Sequence, residues 1–221
     1  MTQDVVIFGV GDFARVASIY LEQDSSYRVS AFSVHEAFLT LPTLLGKPVI
    51  PFERLPQEYP PEQCKMFVAI GFSRLNKARA EIYHACKSLG YKLITYINSR
   101  ASVWGPVEFG DNCFVFENNV VQPFVKIGND TILWSGNHIG HDATIGDHCF
   151  IASHAVISGN VKIGDNCFIG VNATIRDAVT IGNESIIGAG TLILKDAAPG
   201  SVFQGPATEV SRVPSHRLRA V

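Results

Sequence analysis

Residues Ile139 to Ile187 read IGHDATIGDHCFIASHAVISGNVKIGDNCFIGVNATIRDAVTIGNESII, and an isoleucine returns at every sixth residue. Followed in both directions, the step runs from Ile97 to Ile193 through Val103, Phe109, Val115, Val121, Ile127 and Leu133, and none of its seventeen positions is polar. The fourth residue after each is usually small, as at Ala101, Cys113, Thr131, Ala143, Cys149, Ala155, Cys167, Ala173, Ser185, Thr191 and Ala197. That marks a second inward position. A repeated amphipathic helix or a set of hairpins would not give this spacing. It fits a three-sided prism of parallel strands in which residues eighteen apart stack about 4.8 Å from one another.

Sorting the hexads by side supports the prism. One side reads FGDNCF from Phe109, IGNDTI from Ile127, IGDHCF from Ile145, IGDNCF from Ile163 and IGNESI from Ile181. A glycine followed by Asp or Asn suits a tight corner, since glycine permits positive φ and Asx side chains bond the turn backbone. The other two sides are less regular, which directs the search for function to them. On the regular side the hexads end in Phe114, Ile132, Phe150, Phe168 and Ile186. The inward positions are already filled, so this apolar ladder must face outward, with Phe116 above Trp134 beside it. It is more than a soluble monomer usually exposes. A closed ring of three copies would cover it, which predicts a homotrimer whose contacts include these residues.

With 221 residues, 47% hydrophobic and 17% charged, the chain has ample core for one long or two short domains. A net charge of −2 and the lack of any Lys/Arg run give no basic field for nucleic acid. No apolar stretch reaches membrane-spanning length and MTQDVVIFG reads as a first strand, so the expected compartment is the cytoplasm, with no membrane partner. Five cysteines without a CxxC pair argue against a disulfide framework. Cys113, Cys149 and Cys167 fall on the small inward position, where they read as core.

Residues 1–95 lack the six-residue step and read as a small parallel α/β domain. Strands are expected at Val5 to Phe8, Val29 to Phe32, Val49-Ile50 and Met66 to Ile70, with helices through about Glu22 and from Asn76 to Leu89. After the first strand, Gly9-Val10-Gly11-Asp12-Phe13-Ala14 matches GxGxxA, a pattern that brings backbone N–H groups at a helix N-terminus to a diphosphate. A dinucleotide reading wants an acid after the second strand. Ser33, Val34 and His35 stand there and Glu36 comes late, so a nucleotide sugar or other diphosphate fits better than NAD. Ile70-Gly71 should share that rim, followed by Asn76 and by Arg79, which lies either near the rim or on a solvated helix face. Residues 96–200 form the prism. Pro199 and Pro206 end it, and the tail 201–221, with Arg212, Arg217 and Arg219, is expected to cap its open coil.

Four of the seven histidines, His138, His141, His148 and His154, lie close together. A β-helix zinc enzyme would take two histidines five apart, and no pair here has that spacing, so no metal is expected. A neutral imidazole can instead serve as a general base near pH 7. His141 is the strongest candidate. It sits outside the core pattern on an irregular side, with Pro123 and Gly159 eighteen residues away and Asp142 next to it to fix the tautomer. His148 reads as a solvated corner residue, and His138 and His154 receive no assignment.

The whole chain resembles the NeuD/PglD-like bacterial sugar acyltransferases. The matching residues are IFGVGDFA, Gly46-Lys47-Pro48-Val49-Ile50, VAIG ending at Gly71, IGHDATIGD from Ile139 to Asp147, SGNVKIGDNCFIG from Ser158 to Gly170, and GPA from Gly205. The resemblance implies a Rossmann-like α/β domain followed by a left-handed parallel β-helix, and a homotrimer with acetyl-CoA in the groove between neighbouring β-helices. It implies His141 as catalytic base supported by Asp142, with Phe150, Gly159, Gly170, Val171 and Ala189 lining the CoA groove. Gly9, Gly11, Asp12, Phe13 and Gly71 match the nucleotide-sugar site. Ser33 occupies the place where the family often has an acid, and Gly140 precedes the histidine; both are departures. The activity expected is acetyl-CoA-dependent N-acetylation of a nucleotide-linked 4-amino-deoxy sugar carried on UDP, dTDP or GDP. The alternatives are O-acetylation of a sialic-acid-like sugar and, from another class, a non-catalytic trimeric scaffold or nucleotide-sugar sensor.

Overall fold

The computed structural model describes residues 3–217. Its N-terminal part is built on β1 (Gln3–Phe8), α1 (Asp12–Gln23), β2 (Tyr27–Val34), β3 (Thr43–Leu44), β4 (Lys47–Pro51), α2 (Leu55–Glu58), β5 (Lys65–Val68) and α3 (Lys77–Ser88). The sheet order is β3-β4-β2-β1-β5, parallel except for the short β3 hairpin, which sequence reading did not anticipate. The apolar runs of β1, β2 and β5 are buried, as strands covered on both faces require. α1 starts where Gly11 is extended and Asp12 complements the helix dipole, and it buries Ala14, Ala17, Ser18 and Leu21 against the sheet. β5 ends two residues before the expected Ile70. Asn76 caps α3 from a left-handed conformation rather than lying inside the helix.

From Tyr96 onward the chain winds through two-residue rungs stacked into three parallel sheets of seven, six and five strands. The arrangement is consistent with a left-handed β-helix of hexapeptide repeats. Register is eighteen up to Ile193, where Phe114 pairs with Ile132, Ile132 with Phe150 and Phe150 with Phe168, and it shortens to sixteen at the final Ile186–Val202 pairing. From Val115 to Ile193 every sixth residue is buried, and with the small positions these side chains form one continuous core.

The corners work differently from the sequence expectation. Gly128 and its equivalents do not take positive φ; two positions further on, Asn112, Asp130, His148, Asn166 and Glu184 do. The glycine is needed because the coils approach so closely. A Cβ on Gly128 would lie 2.6 Å from the Gly146 carbonyl carbon.

The apolar ladder also has an unexpected cover. It points outward as predicted, but Phe114, Ile132 and Phe150 are buried in one cluster with Val5, Ile7, Leu21 and Phe67 of the same chain. Phe72 lies 5.1 Å from Phe150 and 5.0 Å from Phe168. Phe116 and Trp134 stack 4.4 Å apart, with Phe13 against both rings and Tyr20 5.0 Å from Phe116. The N-terminal part docks on this face, so the ladder no longer calls for other copies. The face between the two remaining corners carries the outward row Ser102, Val120, His138, Val156, Thr174 and Leu192, with Val120, Val156 and Leu192 exposed. Val202–Phe203 adds a last rung. Residues 206–217, including Arg212 and Arg217, are exposed rather than folded over the coil, since this polar stretch has little apolar surface to bury; Arg219 lies outside the described residues.

Arg79 locks the two parts together, and it is wholly buried rather than solvated. Its Nε is 3.1 Å from Asp130 Oδ2, and Nη2 donates to the carbonyls of Asp130 and Cys149 at 3.0 and 3.1 Å. Nη1 donates to Gly71 O at 2.8 Å. Asp130 also faces His148 Nδ1 at 2.8 Å and takes a bond from Asn112 Nδ2 at 2.6 Å. His148 is therefore buried as well, correcting its reading as a solvated corner. Asn112 Oδ1 in turn accepts the Val68 N–H at 2.8 Å. Removing one member of a buried ion pair strands the other charge. Arg79→Met is expected to cost about 3–5 kcal/mol of stability, measured by urea unfolding; a wild-type midpoint would contradict the proposed role of this lock.

Candidate active site

Two places on the fold bring chemically active side chains together. The first is a corner of the prism at the end of the His138–Ile139 rung. It is the vertex opposite the docked face. His141 projects there, with its side chain 57% exposed. Its N–H donates to Gln122 Oε1 at 2.8 Å, and its carbonyl accepts from Asn160 N–H at 2.9 Å, so the coils on both sides hold its backbone. Asp142 occupies the left-handed corner position at φ 57°, and its Oδ2 lies 2.9 Å from His141 Nδ1. In the neutral ring the acceptor-only carboxylate favours the tautomer with the proton on Nδ1, which leaves the lone pair on Nε2. Gly159 lies against that nitrogen: a Cβ there would be 2.8 Å from Nε2. The residues picked from sequence at this corner, His141, Asp142 and Gly159, are thus together.

No group of His, Cys, Asp or Glu suited to hold a metal occurs among the described residues. The histidine cluster disperses: His138 is half-buried, His148 is buried and His154 is exposed on another corner. The cysteines are placed as core residues. All five are buried, and burial pushes the thiols of Cys64, Cys86 and Cys113 up to about 11, 12 and 12.

The second place is a cleft of about 640 Å³ at the C-terminal ends of β1, β2 and β5. Gly9, Gly11, Asp12, Phe13 and Gly71 line it, as sequence placed them. Gly9 has φ 127° and passes so near β5 that a Cβ would meet Ala69 O at 2.8 Å. Ser33 is not in the wall. It is fully buried inside the sheet, where its carbonyl accepts the Gly9 N–H at 2.8 Å, and the next two residues, Val34 and His35, line the cleft instead. Arg74 and Glu81, an ion pair at the start of α3, also line the cleft and were not picked out from sequence. Their place beyond the end of β5, where ligands of parallel sheets sit, was the available signal.

The groove residues divide. Gly170, Val171 and Ala189 share the corner on the far side of the open face; a Cβ on Gly170 would lie 2.6 Å from Ala189 N, and Val171 is exposed. Gly159 belongs to the His141 corner. Phe150 does not line a groove: it is 5% exposed under Phe72, because its rung lies on the docked face.

Residues 124–159 and 160–195 match the family bacterial transferase hexapeptide (six repeats). No curated protein sequence matches the chain. Among solved structures, the acetyltransferase domain of PglB from Neisseria gonorrhoeae is 27% identical, with a TM-score of 0.83 over 95% of this chain and 100% of that one. A perosamine N-acetyltransferase from Caulobacter crescentus, solved as a His-to-Asn mutant with CoA and GDP-perosamine, is 28% identical, with a TM-score of 0.83 over 93% and 95% of the two chains. The PglB domain in complex with acetyl coenzyme A aligns at 26% identity and TM-score 0.81, over 95% and 100%. These likenesses agree with the expected resemblance to the NeuD/PglD-like sugar acyltransferases, and the chain is an acyltransferase whose residues 124–195 carry hexapeptide repeats.

Space beside Nε2 gives a direct test of this corner. In Gly159→Ala the new methyl would meet only the far end of His141, so the fold should survive while the ring is displaced. Acyl transfer should fall about tenfold to a hundredfold with little change in melting temperature; unchanged turnover would place the reaction elsewhere.

Proposed function

We propose that the chain is an acetyl-CoA-dependent N-acetyltransferase of a nucleotide-linked amino sugar, working in the cytoplasm, with His141 as general base. The observation that carries this reading is the His141 imidazole, anchored through Nδ1 by Asp142 and open at Nε2 beside Gly159. In the proposed reaction the sugar amine attacks the thioester carbonyl while Nε2 takes its proton. A backbone N–H of a neighbouring copy stabilises the oxyanion, and CoA leaves as the thiol. No covalent enzyme intermediate is required, and joint positioning of the two substrates supplies much of the rate. We assign the sugar nucleotide to the cleft of a Rossmann-like unit, residues 1–95, and the acetyl donor to the β-helix of residues 96–200, with 201–221 as a terminal extension. The PglB domain with acetyl coenzyme A and the perosamine enzyme with CoA and GDP-perosamine support both assignments by likeness of fold.

The topology supports a homotrimer by a different route from the ladder. His141 stands at the vertex opposite the docked N-terminal part, so one chain holds its base away from its own cleft. The open face lies between the His141 corner and the Gly170, Val171 and Ala189 corner, and it exposes Val120, Val156 and Leu192. Burying this face between copies in a ring would set the two kinds of corner side by side and form the CoA groove between subunits.

Two measurements test the proposal. His141→Asn should lower kcat by about 10²–10⁴-fold and leave acetyl-CoA binding nearly intact. It is read by thiol release with a panel of UDP-, dTDP- and GDP-linked amino sugars and their hydroxyl analogues. Wild-type turnover in the variant removes His141 from the mechanism, release only with hydroxyl acceptors makes the enzyme an O-acetyltransferase, and no release with any acceptor favours a scaffold. Light scattering should return roughly 72 kDa, three times the 24.0 kDa chain, with Val156→Glu shifting the mass toward the monomer; a stable wild-type monomer would refute the shared groove.

A further inference from the structure

At the end of the second strand a nucleotide-binding sheet ordinarily meets the ribose hydroxyls through a carboxylate. This chain has Ser33, Val34 and His35 there instead. The structure brings an acid from another element. Glu53, just beyond β4, lies with Oε1 2.8 Å from His35 Nδ1, and its Oε2 accepts the Glu36 N–H at 3.0 Å. The His35 hydrogen bond first, and backbone bonds after it, hold the Glu53 carboxyl below its usual range. An ionised carboxylate only accepts, so Nδ1 carries the proton and Nε2 of the neutral ring is an acceptor. The ring is fixed edge-on against Phe8 and Phe52, at centroid distances of 5.6 and 5.4 Å. It stands in the cleft wall, and Nε2 has no hydrogen-bond partner among the described residues.

We propose that His35, oriented by Glu53, takes the place of the strand-end carboxylate and accepts a hydrogen bond from the ribose 2′-hydroxyl. The site therefore selects ribonucleoside diphosphate sugars over their 2′-deoxy counterparts. The inference rests on the nucleotide-sugar reading of the cleft and adds a specificity-determining residue to it. It narrows the carrier to a ribonucleotide of the UDP or GDP kind and disfavours dTDP.

Calorimetry on the full chain with UDP and 2′-deoxy-UDP, and with GDP and 2′-deoxy-GDP, tests it. For whichever base binds, the ribonucleotide should bind about tenfold more tightly than its deoxy partner, the worth of one such bond. His35→Phe keeps an aromatic ring between Phe8 and Phe52 but has no acceptor, and should bring the ratio to about one by weakening the ribonucleotide alone. His35→Asp supplies an acceptor and should recover part of the preference; Glu53→Ala, which frees the tautomer, should shrink it. Equal binding of the two sugars by the wild type, or a preference kept by His35→Phe, overturns the assignment while leaving the cleft a nucleotide site. If His35→Phe does not fold, the wild-type ratio and His35→Asp decide. Failure of every nucleoside diphosphate to bind the wild type sinks the nucleotide reading, and this inference with it.

Discussion

The buried pairing of Arg79 with Asp130 is the constraint on which the relation between the two parts depends. A guanidinium with no exposure must find acceptors for all its N–H groups, and here they come from both parts at once: the Gly71 carbonyl on the cleft rim, and Asp130 and the Cys149 carbonyl on successive coils. Asn112 adds the end of β5 to the same set through the Val68 N–H. The bonds to Asp130, to the Cys149 carbonyl and from Val68 to Asn112 cross between the parts, so they would be lost if the N-terminal part rotated on the prism. The aromatic ladder supplies apolar area to the contact, whereas the ion pair and its hydrogen bonds set its register. Because the rim strand and Asp130 share one network, cleft and β-helix keep a fixed geometry, which a two-substrate transfer requires.

The prism explains why chemistry is confined to its corners. Each rung gives one side chain to the core and one outward, and the successive coils are stacked so closely that Gly128 could not carry even a methyl group. The interior from Val115 to Ile193 holds aliphatic side chains and small residues at crystal-like density, leaving no room for a substrate. One flat face is taken by the N-terminal part and another is a polar row of Glu108, Lys126, Thr144, Lys162 and Thr180. A ligand can then bind only outside the coils, and the irregular hexads border the His141 corner and the open apolar face.

Much of this was legible in sequence because a period of six with glycine after the core residue has few physical realisations. The N-terminal strands and helices could likewise be placed within a few residues. What escaped was long-range. Nothing local distinguishes Arg79 on α3 from a solvated arginine, or His148 from a corner histidine, because their burial is decided by a partner fifty-one and eighteen residues away. The ladder of Phe114, Ile132 and Phe150 was correctly read as outward and apolar, but periodicity cannot say whether its cover is another copy or the same chain. Phe150 was placed in a groove by the family resemblance, which does not show that Phe72 covers it here. Ser33 was assigned to the cleft by its position along the strand, whereas it lies within the covered sheet, and His35, one residue past the end of β2, stands in the wall.

One backbone position ties these observations together. In every hexad from Phe109 to Ile187 the residue three after the inward one adopts left-handed φ, a conformation that Asn, Asp and His accept more readily than most non-glycine residues. Asn112, Asp130, Asp142, His148 and His154 all stand at that position. Corner geometry thus favours polar side chains, a few of them acidic or imidazole, at positions up the prism, and the local surroundings set what each one does. Against the buried Arg79, Asp130 and His148 become a structural lock. At the opposite vertex, with solvent in front and Gly159 leaving space beside the ring, Asp142 meets His141 instead. A residue that the turn already favours supplies the carboxylate, so the fold gives up nothing to carry it. The distinctive choice at that corner is the histidine before it, which the hexad does not require.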